Sequence, residues 1–224
     1  KIPMEPLVLL KEENSIFTLT LNRPERHNSL IPELLEDFLV KLDIAAGSPE
    51  ARAIILAAKG KSFSTGGDIL GFYQNREDIV SYSTKLVGLV NDAILGILRL
   101  PLPVIAAVQG IVTGGSLGLV LAADTILLTP KASFSPYYSL LGFSPDGGWT
   151  ALLPAIIGVK RTNEIILYNR TITAEEALDW GLVNRIIPEA NLRDEANKFA
   201  KEVSGMVGAT KLLLNSSLGD LEAR

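Results

Sequence analysis

Two glycine-rich turns, Phe63-Ser-Thr-Gly-Gly-Asp68 and Gln109-Gly-Ile-Val-Thr-Gly-Gly115, are the segments whose residue types point most directly to chemistry. Glycine lets the main chain come close to a ligand, and the start of a helix presents N–H groups with no partner inside the helix. Two such turns aimed at one point hold an anion or a developing oxyanion, and each donor is worth about 3–4 kcal/mol in a transition state. Neither turn carries the GxxxxGK[ST] phosphate loop or the GxGxxG dinucleotide pattern. Taken alone, either turn reads first as turn geometry. Taken as a pair, they read as an anion-friendly ligand site.

Other chemistries are limited by what the chain lacks. It has no cysteine, which excludes disulfides, thiol catalysis and Cys-ligated zinc. Its one histidine is His27, so a His-based triad or a multi-His metal site would rest on that residue, and no metal site is expected. His27 sits in a polar turn and reads as solvent-exposed. The net charge of −4 gives no footprint for nucleic acid or an anionic membrane. No apolar run reaches the ~18 residues of a membrane span, and the first residues show no secretory pattern, so the expected location is cytoplasmic, or an organelle matrix.

The two turns have to be held by something, and the flanking pattern says what. Ala53–Ala58 and Val104–Val108 are short, uniformly apolar runs, as expected of strands buried on both faces, and each leads into one of the turns. Ser15–Leu21 alternates apolar and polar residues and reads as a further strand; Thr125–Leu128 reads as another. Pro32 opens a helix carrying Leu34, Leu35, Phe38, Leu39 and Leu42 at helical spacing. Helices are also expected at about 79–98 and 117–123, over 174–181 with a terminal glycine, over 191–203, and from 211. Strand, glycine turn and helix in repeated order predict an α/β fold with a mostly parallel sheet.

These motifs together resemble the crotonase (enoyl-CoA hydratase/isomerase) family. Phe63-Ser-Thr-Gly-Gly-Asp-Ile69 is similar to its F-x-x-G-x-D-[LI] signature, and the stretch from Pro103 to Gly118 to its P-x-I-A-A-[VI]-x-G-x-x-x-G-[GA]. Leu21 to Leu30 resembles L-N-R-P-x-x-x-N-[AS]-[LF], and 134–158 and 174–183 also follow the family pattern, so nearly the whole chain is covered. The resemblance implies a ββα spiral core over 1–190 and a C-terminal helical trimerisation region over 191–224, here shorter than the family pattern. It implies a homotrimer or dimer of trimers and an acyl-CoA substrate, with no cofactor beyond the coenzyme A of the substrate. The thioester oxygen would lie between the N–H groups of Gly67 and Gly115, where an enolate's charge develops. The CoA moiety would lie along Arg26, His27 and Ser29 and along Thr65, Gly66, Asp68 and Ile69, with Asp68 serving mainly as a helix cap.

The family's hydratases add water with two glutamates. Their positions here are Gly118 and about Tyr138, so hydratase chemistry is not expected. The nearest carboxylate is Asp146, in Gly142-Phe-Ser-Pro-Asp-Gly-Gly-Trp149, which resembles the catalytic-Asp position of some family branches and also reads as a plain turn. Tyr137, Tyr138, Phe143 and Trp149 are expected to wall the pocket, which would raise the Asp146 pKa and suit it to shuttle a proton. Tyr138 is also a candidate general acid or oxyanion helper. The expected enzyme is an enoyl-CoA isomerase using Asp146. The alternatives are an acyl-CoA hydrolase or C–C-cleaving enzyme, a dehalogenase-type member lacking a nearby histidine, and a non-catalytic binding homologue.

Overall fold

The structure is a computed structural model that describes residues 5–205 and 208–216. In chain order it runs β1 (Val8–Glu13), β2 (Ile16–Leu21), α1 (Pro32–Gly47), β3 (Ala53–Ala58), α2 (Ile69–Gln74), α3 (Ile79–Arg99) and β4 (Val104–Val108). It continues with β5 (Ile111–Thr113), α4 (Ser116–Leu121), β6 (Thr125–Leu128), β7 (Ser133–Ser135), α5 (Tyr138–Leu141), α6 (Leu152–Ile157) and α7 (Val159–Leu167). The last elements are β8 (Ile172–Thr173), α8 (Ala174–Asp179), β9 (Arg185–Ile186), α9 (Leu192–Val203) and α10 (Gly208–Ser216). Of the predicted region 191–224, residues 206, 207 and 217–224 lie outside the described residues.

The main sheet has the order β1-β2-β3-β4-β6-β9, parallel except for the β1–β2 hairpin. That hairpin turns on Asn14 and Ser15, both at positive φ, as a two-residue turn matched to strand twist requires. Both faces of the sheet are covered, which is why its central strands are apolar throughout. Ile54, Leu56, Ala106 and Val108 face α1 and α3, whose Leu34, Leu35, Phe38, Val90, Ile94 and Ile97 complete the larger core. Ile55, Ile105, Ala107 and Leu127 face the other way, against Leu192, Ala196 and Ala200 of α9. Each fully buried Leu, Ile or Phe contributes about 1.5–3 kcal/mol.

A second sheet, β5-β7-β8, pairs β5 with β7 in parallel and β7 with β8 antiparallel. Residues 109–115, expected as one glycine turn, thus contain a strand: Ile111, Val112 and Thr113 leave the main sheet and pair with Ser133, Phe134 and Ser135. The helix at 174–179 begins with a capping box between Thr173 and Glu176, and Gly181 follows it at φ 71°. Near the other end of the chain, Lys211 of α10 is buried. Its Nζ donates to Ile97 O and Leu102 O at 3.0 Å and meets Asp124 at 2.9 Å, tying α10 to the end of α3.

Among the described residues, no helix is long and apolar enough to cross a membrane, and no three His, Asp or Glu side chains are grouped to hold a metal ion.

Candidate active site

Three chain segments lie side by side at the ends of the parallel strands. Residues 22–30 form the first, and Asn28 staples it down. The Asn28 side chain accepts from Arg23 N and donates to Lys59 O and Ser62 O, while its backbone sits at positive φ. Leu30 pairs with the second segment at Gly67: its N–H donates to Gly66 O at 2.7 Å and its carbonyl accepts from Asp68 N at 3.0 Å. Ser64 in turn pairs with Val112 of the third segment, and Ser116 Oγ bonds to Ser64 O and Thr113 O. The approach is close enough to demand glycine. A Cβ on Gly66 would stand 2.7 Å from Thr113 O, and Gly66 itself has φ +72°.

Among the donors that this packing leaves over are two glycine N–H groups. The N–H of Gly114 is taken by Ser135 O, that of Gly66 by Ser64 Oγ and that of Thr65 by His27 O. Among the described residues the N–H groups of Gly67 and Gly115 have no acceptor. Both glycines line a cavity of about 690 Å³. All eleven residues singled out in the sequence (Arg26, His27, Ser29, Thr65, Gly66, Gly67, Asp68, Ile69, Gly115, Tyr138 and Asp146) line that same cavity.

Their local settings differ. Asp68 is a buried clamp: it caps α2 through Leu70 N and Gly71 N, and it takes Arg23 at 2.7 Å, Arg26 at 3.0 Å and Ser29 Oγ at 3.1 Å. Burial alone would raise its pKa, but Arg23 and Arg26, helped by Gly71 N–H and Ser29, hold it down at about 2. Asp68 is thereby fixed as an anion tied to its own neighbours. Arg23 was not singled out in the sequence; nothing in an N-R-P stretch distinguishes a cavity-lining arginine from one that holds a carboxylate behind it. His27 sits exposed at φ 52°, with Nδ1 3.1 Å from Ser62 Oγ.

Asp146 stands opposite these donors. A Cβ on Gly115 would lie only 3.2 Å from Asp146 Oδ1, and Tyr138 Oη donates to that same oxygen. Burial pushes the Asp146 carboxyl above the usual carboxylate range, against the opposing pull of the Tyr138 hydrogen bond. Burial, and next the Asp146 charge, push the Tyr138 phenol up as well. Apolar Leu86 and Val90 of α3 and the ring pair Phe72–Phe143, 5.2 Å apart, complete this end of the cavity. Trp149, expected on the wall, is instead fully buried behind it: it meets Tyr138 edge-on and donates Nε1–H to Gly114 O at 2.8 Å.

The place of the family's first glutamate is filled by main chain. A Cβ on Gly118 would meet Gly147 O at 2.4 Å, and one on Gly147 would meet Gly115 Cα at 2.2 Å. The loop that delivers Asp146 therefore lies backbone to backbone on the first turn of α4. A carboxylate from position 118 and this loop exclude each other.

The family model described as enoyl-CoA hydratase/isomerase matches residues 11–216. The chain belongs to that family, the crotonases, and is an acyl-CoA enzyme of it. It is 30% identical, over 88% of its length and 72% of the relative's, to a 4-chlorobenzoyl coenzyme A dehalogenase of Arthrobacter sp. It is 29% identical, over 96% of its length and 84% of the relative's, to the 1,2-epoxyphenylacetyl-CoA isomerase of Escherichia coli. An enoyl-CoA hydratase structure from Polaromonas sp. JS666 superimposes with a TM-score of 0.90 at 28% identity, covering 96% of this chain and 86% of that one.

Proposed function

We propose that this enzyme is an isomerase that moves a double bond within an enoyl-CoA or a related acyl-CoA, with Asp146 carrying the proton. The observation that supports it is the position of one carboxylate, Asp146, in apolar surroundings beside the Gly115 donor, with no carboxylate at 118 or 138. The thioester oxygen accepts from Gly67 N–H and Gly115 N–H, which acidifies the carbon next to the carbonyl. The Asp146 carboxylate removes a proton, and the electron pair shifts into the thioester as an enolate whose charge faces both donors. Asp146 then returns the proton to the carbon at the far end of the conjugated system. No cofactor enters, and Arg26, His27, Ser29 and the 65–69 turn hold the CoA moiety.

A raised Asp146 pKa suits both half-steps, because a base must also become an acid within one turnover. Asp146→Asn is expected to lower double-bond migration by about 10²–10⁴-fold while the acyl-CoA still binds. Turnover at the wild-type rate in that variant overturns the assignment. A second reading is favoured by the dehalogenase relative: Asp146 as a nucleophile on a halogenated aromatic ring. Chloride release from 4-chlorobenzoyl-CoA, with no bond migration in enoyl-CoAs, selects it.

A further inference from the structure

Resting on the proton-shuttle reading of Asp146, we infer that Tyr138 is a positioning residue that reserves one oxygen of that carboxylate for the substrate. Tyr138 is buried at the start of α5, and its place there is built by the backbone before it. Tyr137 takes the left-handed conformation at φ 57°, a costly choice for a tyrosine, and this turns the next side chain inward. The ring packs edge-on against buried Trp149, which is itself held to Gly114 O. The hydroxyl group of Tyr138 thus reaches Asp146 from a rigid support shared with the Gly114–Gly115 turn.

The consequence is an asymmetric carboxylate. Oδ1 accepts the Tyr138 hydrogen bond and faces Gly115; Oδ2 takes no hydrogen bond from any other residue among the described residues, the one further donor near the carboxyl being the N–H of Asp146 itself, and Asp146 lines the cavity. A phenol holds its proton far more tightly than a carboxylic acid, and burial strengthens that order here. Tyr138 is therefore a donor throughout the cycle. The lone pair of Oδ1 aimed at it is occupied, so the proton leaving the substrate forms its bond to Oδ2, and the same O–H bond breaks when the proton is returned. Acid and base are one atom, and both transfers take place on one face of the substrate.

Tyr138 also tunes that atom, because its bond favours the ionised form of Asp146. No charged side chain of a neighbouring element acts on Asp146: α7, which packs against α5, carries Lys160, Arg161 and Glu164 at exposed positions. α3 presents Leu86 and Val90 and α4 presents Gly115 and Gly118, while Phe143 and Ser144 flank the loop. Of the other ionisable groups on the cavity, Asp68 and Arg26 pair with each other, and Glu25, His27 and Tyr137 lie on its rim.

The test replaces Tyr138 by Phe and, separately, by site-specific 3-fluorotyrosine, an isosteric phenol that is a stronger donor. Asp146 is followed by 13C NMR of its labelled carboxyl, assigned with Asp146→Asn, and by the acid limb of the pH–rate profile. Loss of the donor moves both to higher pH by about 1–2 pH units, the worth of one hydrogen bond to a charged group. The fluorinated ring moves both to lower pH, a reversal that a packing role does not produce and a result available even if Tyr138→Phe folds poorly. Unmoved titrations in the folded variants overturn this inference. Wild-type turnover in Asp146→Asn overturns the shuttle reading itself, so the two failures are separable.

Discussion

Restoring the family's first glutamate should not make this enzyme a hydratase, because the obstacle is backbone. In Gly118→Glu the new Cβ stands 2.3 Å from Ile94 Cδ1 and 2.4 Å from Gly147 O. Ile94 can rotate its terminal methyl away. Gly147 cannot yield inward, since it already lies against Gly115 Cα and needs its φ of +54°. The 146–148 loop must therefore lift by roughly 1 Å to restore a normal contact. Overpacking of this kind costs about 1–3 kcal/mol, and the buried carboxylate adds to it. In a chain of this size that is a fall in Tm of about 2–12 °C. Lifting the loop moves Asp146 off its place, and a shift of that order costs about 10²-fold in rate. Differential scanning calorimetry, loss of enoyl-thioester absorbance and product chromatography read the three effects. Gly118→Ala serves as comparator, with the same clash and no charge. A Gly118→Glu protein with wild-type Tm that hydrates enoyl-CoA would refute the argument.

Two further perturbations address the donors and the clamp. Gly67→Pro removes one of the unpartnered glycine N–H groups, and turnover is expected to fall by about 10²–10³-fold; an unchanged rate in a folded variant contradicts the oxyanion role. Asp68, with its pKa held at about 2 against 3.8 for a free Asp, contributes stability that is complete above pH ~4 and lost as pH falls toward 2. That contribution is on the order of 2 kcal/mol. Chemical denaturation at pH 6 and pH 3 should show Asp68→Asn to be the less stable protein at pH 6, with the gap to wild type narrowing at pH 3. An equal gap at both pH values removes the clamp from the account.

What could be read from the sequence followed the strength of local patterns. Ala53–Ala58 and Val104–Val108 announce themselves because strands covered on both faces have no polar side, and Pro32 marks the helix start that it occupies in α1. Asp68 as a helix cap was legible from its place after a turn; its two arginines were not, since that pairing joins residues 42 and 45 positions apart. β1 was missed: Val8 is its one fully buried residue, and the Lys-Glu-Glu end of an edge strand looks like a solvated tail. β5 and β7 were missed because each is three residues long and depends on the other for its pattern. Asp146 could be picked out by position within the family motif. Tyr138 could be picked out in the same way, but not its hydrogen bond to Asp146, because the two meet only through an irregular loop whose course the sequence does not fix.

The Lys211 contact sets an order on how the molecule is made. The carbonyls of Ile97 and Leu102 precede their ammonium partner by 114 and 109 residues. A ribosome adding about 5–20 residues per second delivers Lys211 roughly 5–20 s after Leu102. Throughout that interval the nascent α3 has its last turn open to water, or to a chaperone, directly beside the strand that leads into the Gly115 turn. The Gly115 turn is thus secured from behind by a helix whose lysine is translated 109 residues after the carbonyl it binds.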